Sequence, residues 1–297
     1  MATFQRITEQ NIQALLPYFA QQPYGTCDNT VGVVYQWRKF YADFSIAEDR
    51  LCIRMDFGNG AYGYGIPIGS GSFREAFLRI ESDAEQQGTA LRYCLVPEAA
   101  MPLLAARYGQ ETLTVRKERD WADYEYDADA FRTYAGKALH TQKNHVNRFV
   151  REHPEAHMIL VQDASEEAMA MQFLDDFSKQ HTFEGKWEWE EWLGAKDLLR
   201  MRKELGQTAA CLVDGDRVIG LSIGEVQGDT LYVHVEKAYY NISGAYPSLA
   251  QGFVSLFPEV RTVNREDDSG DEGLRMSKLR YRPRTLVEKY SVTVMNR

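Results

Sequence analysis

The sequence predicts an α/β (α+β) protein of two similar halves, each with a mixed sheet flanked by helices. The chain has 297 residues, enough for about two domains of roughly 100–200 residues each. Hydrophobic residues make up 44% of the chain and charged residues 26%, a composition typical of globular proteins. Both halves show one order of elements, β-α-α-β-β-β-α-β-α-β, which favours two tandem domains.

The first predicted domain covers residues 1–127. Apolar residues from 12 to 19 have the spacing of an amphipathic helix, for which Thr8 is a suitable N-cap. The turn residues 58–60 separate two strands, and Gly69-Ser70-Gly71-Ser72 leads into a helix. The predicted strands cover 3–7, 44–48, 50–57, 60–68, 91–96 and 112–118. The predicted helices are the one that begins at Thr8 and those over 31–43, 73–87 and 97–108.

The second predicted domain covers residues 128–297. It begins with one long helix, 128–152, that connects the two halves. Asp214-Gly215 and Gly228-Asp229 are turn sequences between apolar segments, which indicates hairpins. The predicted strands cover 158–161, 209–213, 217–226, 230–238, 260–265 and 286–294. The other predicted helices cover 165–181, 188–205, 245–257 and 271–280.

The composition argues against several classes of protein. The net charge is −9, so we expect no general nucleic-acid binding and no DNA partner, although a local basic face is compatible with this charge. No apolar stretch reaches the length of about 18 residues that predicts a membrane-spanning helix, and no signal peptide is expected. The four cysteines form no C-x-x-C pair, which predicts reduced thiols in a cytoplasmic protein. No metal is expected, because Pro154 breaks the helix that a zinc motif at 153–157 would need.

The repeated order of elements is that of the GNAT acyltransferase fold, and this resemblance implies acyl transfer. In that fold one strand splays from its neighbour, the acyl donor lies in the gap, and backbone N–H groups of the next helix bind the donor's phosphates. Asn241-x-x-Gly244-x-Tyr246 occupies this position in the second half. It matches the loop pattern Gln/Arg-x-x-Gly-x-Gly/Ala only at Gly244, and the missing small residues oppose ordinary use of acetyl-CoA.

The predicted connecting helix contains a basic segment. Residues 132–151 include five cations and no acid, which is unusual in a chain of net charge −9. On a helix, Lys143, Asn147 and Arg151 share one face and Arg148 lies on the adjacent face. Such a surface could bind phosphate, carboxylate or RNA backbone. The alternative is a solvated linker helix.

The strand before the loop at residues 241–246 carries candidate catalytic residues. Alternation places His234 and Glu236 on one face of this strand and Lys237 on the other. Glu236 is a candidate general base or a ligand for a substrate ammonium group. The alternative is a carboxylate that pairs with a neighbouring cation. His234 is more typical of a structural histidine.

A third segment follows the next strand. Asn264-Arg265-Glu266 lies at the carboxyl end of that strand, where open α/β sheets place ligands. The acids that follow, and the cations Arg275 and Lys278 further along, suit the two ends of a helix dipole, so part of the pattern is capping.

The chain shares several stretches with one known family. They are Lys143-Asn144-His145-Val146-Asn147-Arg148-Phe149, Val235-Glu236-Lys237-Ala238, Gly244-Ala245-Tyr246-Pro247, Val263-Asn264-Arg265-Glu266-Asp267-Asp268-Ser269-Gly270, Gly273-Leu274-Arg275, Lys278, Tyr281-Arg282-Pro283 and Leu286-Val287-Glu288-Lys289-Tyr290. The chain thereby resembles the C-terminal catalytic domain of lysyl-phosphatidylglycerol synthases, found also as stand-alone bacterial proteins. The resemblance implies a tandem GNAT-like fold and transfer of an aminoacyl group from charged tRNA to a lipid headgroup.

The resemblance also implies roles for individual residues in the second domain. Glu236 acts as the base or holds the donor's amino group, and Lys237, Arg265 and Lys278 offer positive charge to a phosphate or an oxyanion. Asn264 and Tyr246 orient the carbonyl. The residues assigned to catalysis are Glu236, Lys237, Arg265 and Asn264. The residues assigned to substrate binding are Tyr246, Gly244, Lys143, Asn147, Arg148, Glu266, Arg275 and Lys278.

Three functions remain open on the sequence. The first is transfer from aminoacyl-tRNA to an amine or hydroxyl group, the second is acyl-CoA-dependent N-acylation of a small amine, and the third is non-catalytic binding of a small molecule. We expect no tightly bound cofactor, with aminoacyl-tRNA or acyl-CoA as donor co-substrate. Because no membrane span is predicted, we expect a small-molecule, peptide or protein acceptor rather than a lipid. The first domain is predicted to be structural.

Overall fold

The computed structural model describes residues 3–58, 60–180 and 186–295, and its chain divides into two units. Unit 1 comprises the described residues up to 123 together with those from 287 onward, and unit 2 comprises residues 124–286. The domain predicted from the sequence as 128–297 therefore differs from unit 2 at both of its ends, since unit 2 begins at residue 124 and ends at residue 286. Residues 59 and 181, which belong to a predicted turn and a predicted helix, lie outside the described residues.

Unit 1 is built on one eight-stranded sheet with the order β1-β2-β3-β4-β6-β15-β7, in which β5 also pairs with β3. Its strands are β1 (Gln5–Arg6), β2 (Asp43–Ala47), β3 (Arg50–Asp56), β4 (Tyr62–Tyr64), β5 (Ile68–Gly69), β6 (Arg92–Pro97), β7 (Leu113–Lys117) and β15 (Lys289–Val294). Its α-helices are α1 (Leu16–Phe19), α2 (Val31–Gln36), α3 (Phe73–Gln87) and α4 (Met101–Tyr108).

The strand β15 completes the sheet of unit 1 although it follows the whole of unit 2 in the sequence. It lies antiparallel between β6 and β7, with Tyr290 opposite Val96 and Val292 opposite Val115. Val292 is fully buried in the core of this unit. The hydrogen bonds on both sides of β15 explain why these residues belong to unit 1.

Unit 2 is built on one seven-stranded sheet with the order β14-β8-β13-β12-β11-β10-β9. Its strands are β8 (Asp123–Asp127), β9 (His157–Leu160), β10 (Thr208–Asp214), β11 (Arg217–Gln227), β12 (Thr230–Ala238), β13 (Thr262–Asn264) and β14 (Thr285–Val287). Its α-helices are α5 (Ala128–Thr133), α6 (His140–Glu152), α7 (Ala164–Gln180), α8 (Lys186–Arg200), α9 (Ala245–Ser255) and α10 (Glu272–Arg280).

The core of unit 2 is rich in aromatic side chains. Phe131 packs with Tyr126 at 4.9 Å between ring centroids and stacks on Tyr281 at 5.2 Å. Tyr134 and Phe253 belong to the same buried cluster. Burial of rings of this size is a large apolar contribution to stability and fixes α5 and α9 against the sheet.

Two predicted elements differ from the structure in an informative way. The predicted helix over 128–152 is two helices, because Tyr134 and Gly136 adopt φ angles of +43° and +87°, left-handed conformations that end a right-handed helix. The predicted strand over 286–294 is also two elements, β14 in one sheet and β15 in the other. The strand β8 was not predicted. Among the helices of the described chain, none is long and apolar enough to cross a bilayer.

Candidate functional site

The strands β12 and β13 of unit 2 begin together and then separate. They pair in parallel from Thr230 opposite Thr262 to Tyr232 opposite Asn264, where β13 ends, whereas β12 continues to Ala238. The register of β12 against β11 also shifts by one residue at His234, which forms a β-bulge. The alternation that placed His234 and Glu236 on one face is therefore interrupted, and the two side chains have different partners.

Glu236 and Arg265 meet where β12 has left β13. The Nη2 group of Arg265 donates to Oε1 of Glu236 at 2.5 Å, and both side chains are about nine-tenths buried, at 11% and 10% exposure. The Nη1 atom of Arg265 is buried and has no hydrogen-bond partner. The pair therefore combines a carboxylate with a guanidinium that has a remaining donor group.

Aromatic rings of the core surround the Arg265 guanidinium. The guanidinium carbon of Arg265 lies 4.7 Å from the ring centroid of Tyr281, 5.6 Å from that of Phe131 and 6.0 Å from that of Tyr126. Burial lowers the pKa of Arg265, but the charge of Glu236 outweighs it and raises this pKa above its usual value. Burial raises the pKa of Tyr281 to about 12. Arg265 is thus a permanent cation in an apolar setting, where its charge is poorly screened.

The loop after Arg265 is fixed by hydrogen bonds within unit 2. The Lys278 ammonium donates to the backbone oxygens of Arg265 and Asp267 and is buried at 7% exposure. The Asn264 side chain accepts from the backbone N–H of Glu266. Lys278 and Asn264, predicted to contact substrate, are thus bonded to the backbone that carries Arg265.

A second buried charge cluster holds the far end of this loop. Arg275 donates twice to Asp268, and the Tyr124 hydroxyl donates to the same carboxylate at 2.5 Å. Burial raises the pKa of Asp268, but these bonds outweigh it and lower the pKa to about 2. Arg275, predicted as a substrate-binding residue, therefore forms its ion pair with Asp268 of the loop.

His234 is buried between two carboxylates. Its Nδ1 group lies 2.7 Å from Glu266 and its Nε2 group 3.5 Å from Glu225. Burial lowers the pKa of His234, but the bonds and charges of Glu225 and Glu266 outweigh it and raise this pKa to about 9. Burial raises the pKa of Glu266. Glu266 has a left-handed φ of +57°, so the imidazole bond helps to hold a strained residue next to Arg265.

Lys237 and Glu236 have different ion-pair partners. The Lys237 ammonium donates to Glu191 of α8 at 2.8 Å and lies 5.8 Å from the ring centroid of Phe177 on α7. The structure therefore brings Glu236, Arg265, Asn264, Glu266 and Lys278 together and pairs Lys237 with α8.

The start of α9 is packed against α6. Gly244 has a φ of +82°, and a Cβ atom there would lie 2.5 Å from the backbone oxygen of His145. Tyr246 follows in the first turn of α9, and burial raises the pKa of its hydroxyl. Gly244, predicted for phosphate binding, permits the close approach of two helices.

The predicted basic residues lie on the outer surface of α6. Lys143, Asn147, Arg148 and Arg151 are all exposed, and Arg148 pairs with Glu152 at 2.8 Å. The α6 helix thus contacts α9 with one side and presents cations on another.

Several residues of the site were missed by the sequence-based prediction. Tyr126, Phe131 and Tyr281 surround Arg265, and Glu225 completes the carboxylate pair around His234. The alternation of Tyr124 and Tyr126 between acids was the available signal, since it is the pattern of a half-buried strand.

The architecture and the site define the class of protein. Two mixed sheets flanked by helices form a tandem GNAT-like fold, as predicted. The opened strand pair of unit 2 holds the Glu236–Arg265 pair.

The chain belongs to the family described as phosphatidylglycerol lysyltransferase, C-terminal, whose sequence model matches residues 19–293. The resemblance found in the sequence is thereby confirmed. Family and fold indicate an acyltransferase of the lysyl-phosphatidylglycerol synthase and GNAT type. No curated protein matches the chain in a sequence comparison.

Two solved structures are similar over nearly the whole chain. A conserved protein of unknown function from Bacteroides thetaiotaomicron VPI-5482 has a TM-score of 0.87 and 26% identity, over 99% of this chain and 100% of that one. L-PGS from Bacillus licheniformis has a TM-score of 0.68 and 14% identity, over 99% of this chain and 94% of that one. At this identity the second similarity shows the fold alone.

Proposed function

We propose that unit 2 transfers an aminoacyl group from charged tRNA to an amine or hydroxyl acceptor, with Glu236 and Arg265 at the reacting ester. The observation that carries this proposal is the packing of α9 on α6. The start of α9 is where an acyl-CoA donor would place its phosphates, and here the backbone of α6 lies against it while exposed cations occupy the outer surface of α6.

The first turn of α9 supplies few donors for a pyrophosphate. The N–H group of Ala245 donates to Ile242, and that of Ser248 donates to Gly244 within the helix. Pro247 has no N–H group at all. A helix start binds phosphate through several free N–H groups, so this turn is poorly suited to coenzyme A.

The outer surface of α6 suits the backbone of an RNA. Lys143, Arg148 and Arg151 are exposed on one helix, and residues 132–151 contain no acid. Cations so placed attract phosphates even in an acidic chain, because screening limits the influence of distant charges to about 8–10 Å.

The chemistry follows from the ion pair. The acceptor nitrogen or oxygen forms a bond to the ester carbonyl carbon, and the bond from that carbon to the ribose oxygen of tRNA breaks. The ribose oxygen takes up the proton that the acceptor loses. The free Nη1 group of Arg265 stabilises the oxyanion that develops on the carbonyl oxygen. Glu236 holds the α-ammonium group, a charge that aminoacyl donors have and acetyl donors lack.

The test compares two donors. We expect Glu236→Gln to slow transfer from aminoacyl-tRNA by about 100-fold, because an ammonium ligand is lost, and to leave transfer from N-acetylated aminoacyl-tRNA at its low wild-type rate. The measurement is loss of radiolabelled aminoacyl ester in the presence of a pool of amines and peptides. Asp197→Asn, which removes an ion pair between a half-buried carboxylate and the exposed Arg200 in the same unit, is the matched control.

The competing function is acyl transfer from coenzyme A to a small amine, which the fold favours. Saturating acetyl-CoA at about 100 times its dissociation constant would stabilise the chain by roughly 2.7 kcal/mol. A clear rise in the unfolding temperature with acetyl-CoA, together with no ester loss from any charged tRNA, would contradict the aminoacyl proposal and support transfer from coenzyme A. Binding of a metabolite without turnover of either donor would support the third function, a binding protein.

A further inference from the structure

We propose that Tyr240 is the stacking platform for an unpaired base at the acceptor end of the donor RNA. This inference rests on the proposed function. It adds a residue that recognises a base of the donor RNA, whereas Glu236 and Arg265 act at the ester. Tyr240 lies in the turn between β12 and α9, and 75% of its surface is exposed. Most of this large ring is therefore accessible to a partner.

The ring of Tyr240 contacts two other aromatic rings. Tyr246 lies 5.3 Å from it between centroids with an interplanar angle of 35°, and Phe177 of α7 lies 6.1 Å away at 41°. The preceding Tyr239 is buried against Phe173 and Phe177. These contacts restrict the ring before binding, which reduces the entropy lost when a base stacks on its exposed surface.

The platform is anchored to the basic helix. Gly244 follows Tyr240 in the same turn and contacts the backbone of α6 at His145 and the Cβ atom of Phe149. The other surface of α6 carries Lys143 and Arg148, both exposed. Proteins bind single-stranded nucleic acid with aromatic rings that stack on bases and cations that contact phosphates. The turn that carries Tyr240 and the helix that it contacts offer both kinds of side chain. This charge favours RNA over an apolar peptide or lipid chain as the occupant.

The two parts of this surface respond differently to salt. Phosphate contacts release counterions, so each one lost lowers the slope of log affinity against log salt by about 0.7 for a single strand. Stacking involves no net charge and leaves that slope unchanged. A base on Tyr240 contributes at least about a fivefold gain in affinity.

The experiment uses two RNA hairpins with one stem, one ending in a four-nucleotide single-stranded 3′ end and the other blunt. The full chain should bind the first at least about fivefold more tightly. Tyr240→Ala should remove this difference at every salt concentration, whereas Tyr240→Phe should keep it. Lys143→Gln and Arg148→Gln should instead lower the salt slope for both hairpins. Met276→Ala, which removes an exposed apolar side chain of α10, is the control.

The outcomes separate the two proposals. If the wild-type chain prefers the single-stranded end and Tyr240→Ala keeps that preference, Tyr240 is not the stacking residue. The proposed transfer from aminoacyl-tRNA is then unaffected. If the wild-type chain binds neither hairpin nor charged tRNA, the proposed function fails and the platform with it. A Tyr240→Ala variant that loses affinity equally for both hairpins would show that Tyr240 supports the conformation of the turn. This result would overturn the inference.

Discussion

Each unit contains a buried cluster of oppositely charged side chains, and the two clusters differ in how completely they are shielded from solvent. In unit 1 the Lys289 ammonium pairs with Asp28 and Asp123, and Lys289 and Asp123 have no exposed side-chain surface. Tyr41 donates to Asp28, and the Cys27 thiol and backbone N–H donate to Asp123. The lysine and both carboxylates thus have bonds within the unit.

The pair in unit 2 is less completely enclosed. Glu236 and Arg265 keep about a tenth of their side-chain surface, and Arg265 has a buried donor atom without a partner. Leaving such a donor unsatisfied costs free energy, which a ligand that accepts from this atom would recover. Buried charge alone therefore does not distinguish the two clusters, whereas the exposure of Glu236 and Arg265 does.

The glycine turns before the equivalent helices show the same difference. A Cβ atom on Gly71 in unit 1 would lie 1.4 Å from the backbone oxygen of Glu48, and Arg50 donates to the Gly71 carbonyl. The start of α3 is thus enclosed by its own unit. Gly244 is also in close contact, but Tyr240 in the same turn remains exposed.

The largest expected effect breaks the closed cluster of unit 1. Lys289→Met leaves Asp28 and Asp123 buried without their cation, and we expect a loss of about 3–5 kcal/mol in the free energy of unfolding. Urea titration of the purified variant measures this loss.

Lys117→Met is the matched control in unit 1, because the Lys117 side chain is 51% exposed and pairs with Glu288 at the surface. We expect a change of at most about 1 kcal/mol there. Equal losses for the two variants would show that the cluster around Lys289 is no more important than a surface pair.

A somewhat smaller effect concerns the buried imidazole of unit 2. The pKa of His234 is about 9 in the folded chain against 6.5 for an exposed histidine, so its charge stabilises the fold fully below pH 6.5. That stabilisation is lost as the pH rises to 9, by up to about 3 kcal/mol. Unfolding free energies at pH 6.5 and 9 measure it.

His234→Gln provides the reference for this pH dependence, since glutamine keeps a donor but does not titrate. The variant should be less stable than wild type at pH 6.5 and should lose less stability between the two pH values. A variant with the same pH profile as wild type would mean that Glu225 and Glu266 do not hold a charged imidazole.

The smallest expected effect tests the contact between α6 and α9. Gly244→Ala and Gly136→Ala both place a Cβ atom at a positive φ, +82° and +87°, but only the first meets neighbouring atoms within 4 Å. We expect Gly244→Ala to destabilise unit 2 by about 1–2 kcal/mol more than Gly136→Ala. Thermal unfolding compares them, and equal midpoints would contradict a tight helix contact.

The sequence predicted elements best where the pattern is local. The predicted strand over 230–238 and helix over 73–87 match β12 and α3 in both bounds, because alternation and helical spacing are properties of neighbouring residues. The place of β15 between β6 and β7 depends on residues far apart in the chain, and no local pattern carries that information.

The site was predictable in part for the same reason. Glu236 and Arg265 were identified as candidates, but their mutual pairing and the rings around them follow from tertiary packing. Lys278 is a cation near the end of its helix in the sequence, yet its ammonium binds backbone oxygens of the loop. Residue type and spacing indicate available chemistry, whereas the direction of a side chain requires the fold.

The position of β15 has a consequence for protein synthesis. Unit 2 is one continuous segment, 124–286, and its sheet can form as soon as that segment has left the ribosome. The sheet of unit 1 lacks an internal strand until residues 289–294 are made, so β6 and β7 have exposed edges during all of that time. Unpaired edges invite association with other chains. Unit 2 can therefore complete its sheet during synthesis before unit 1 does, although most of unit 1 precedes it in the sequence.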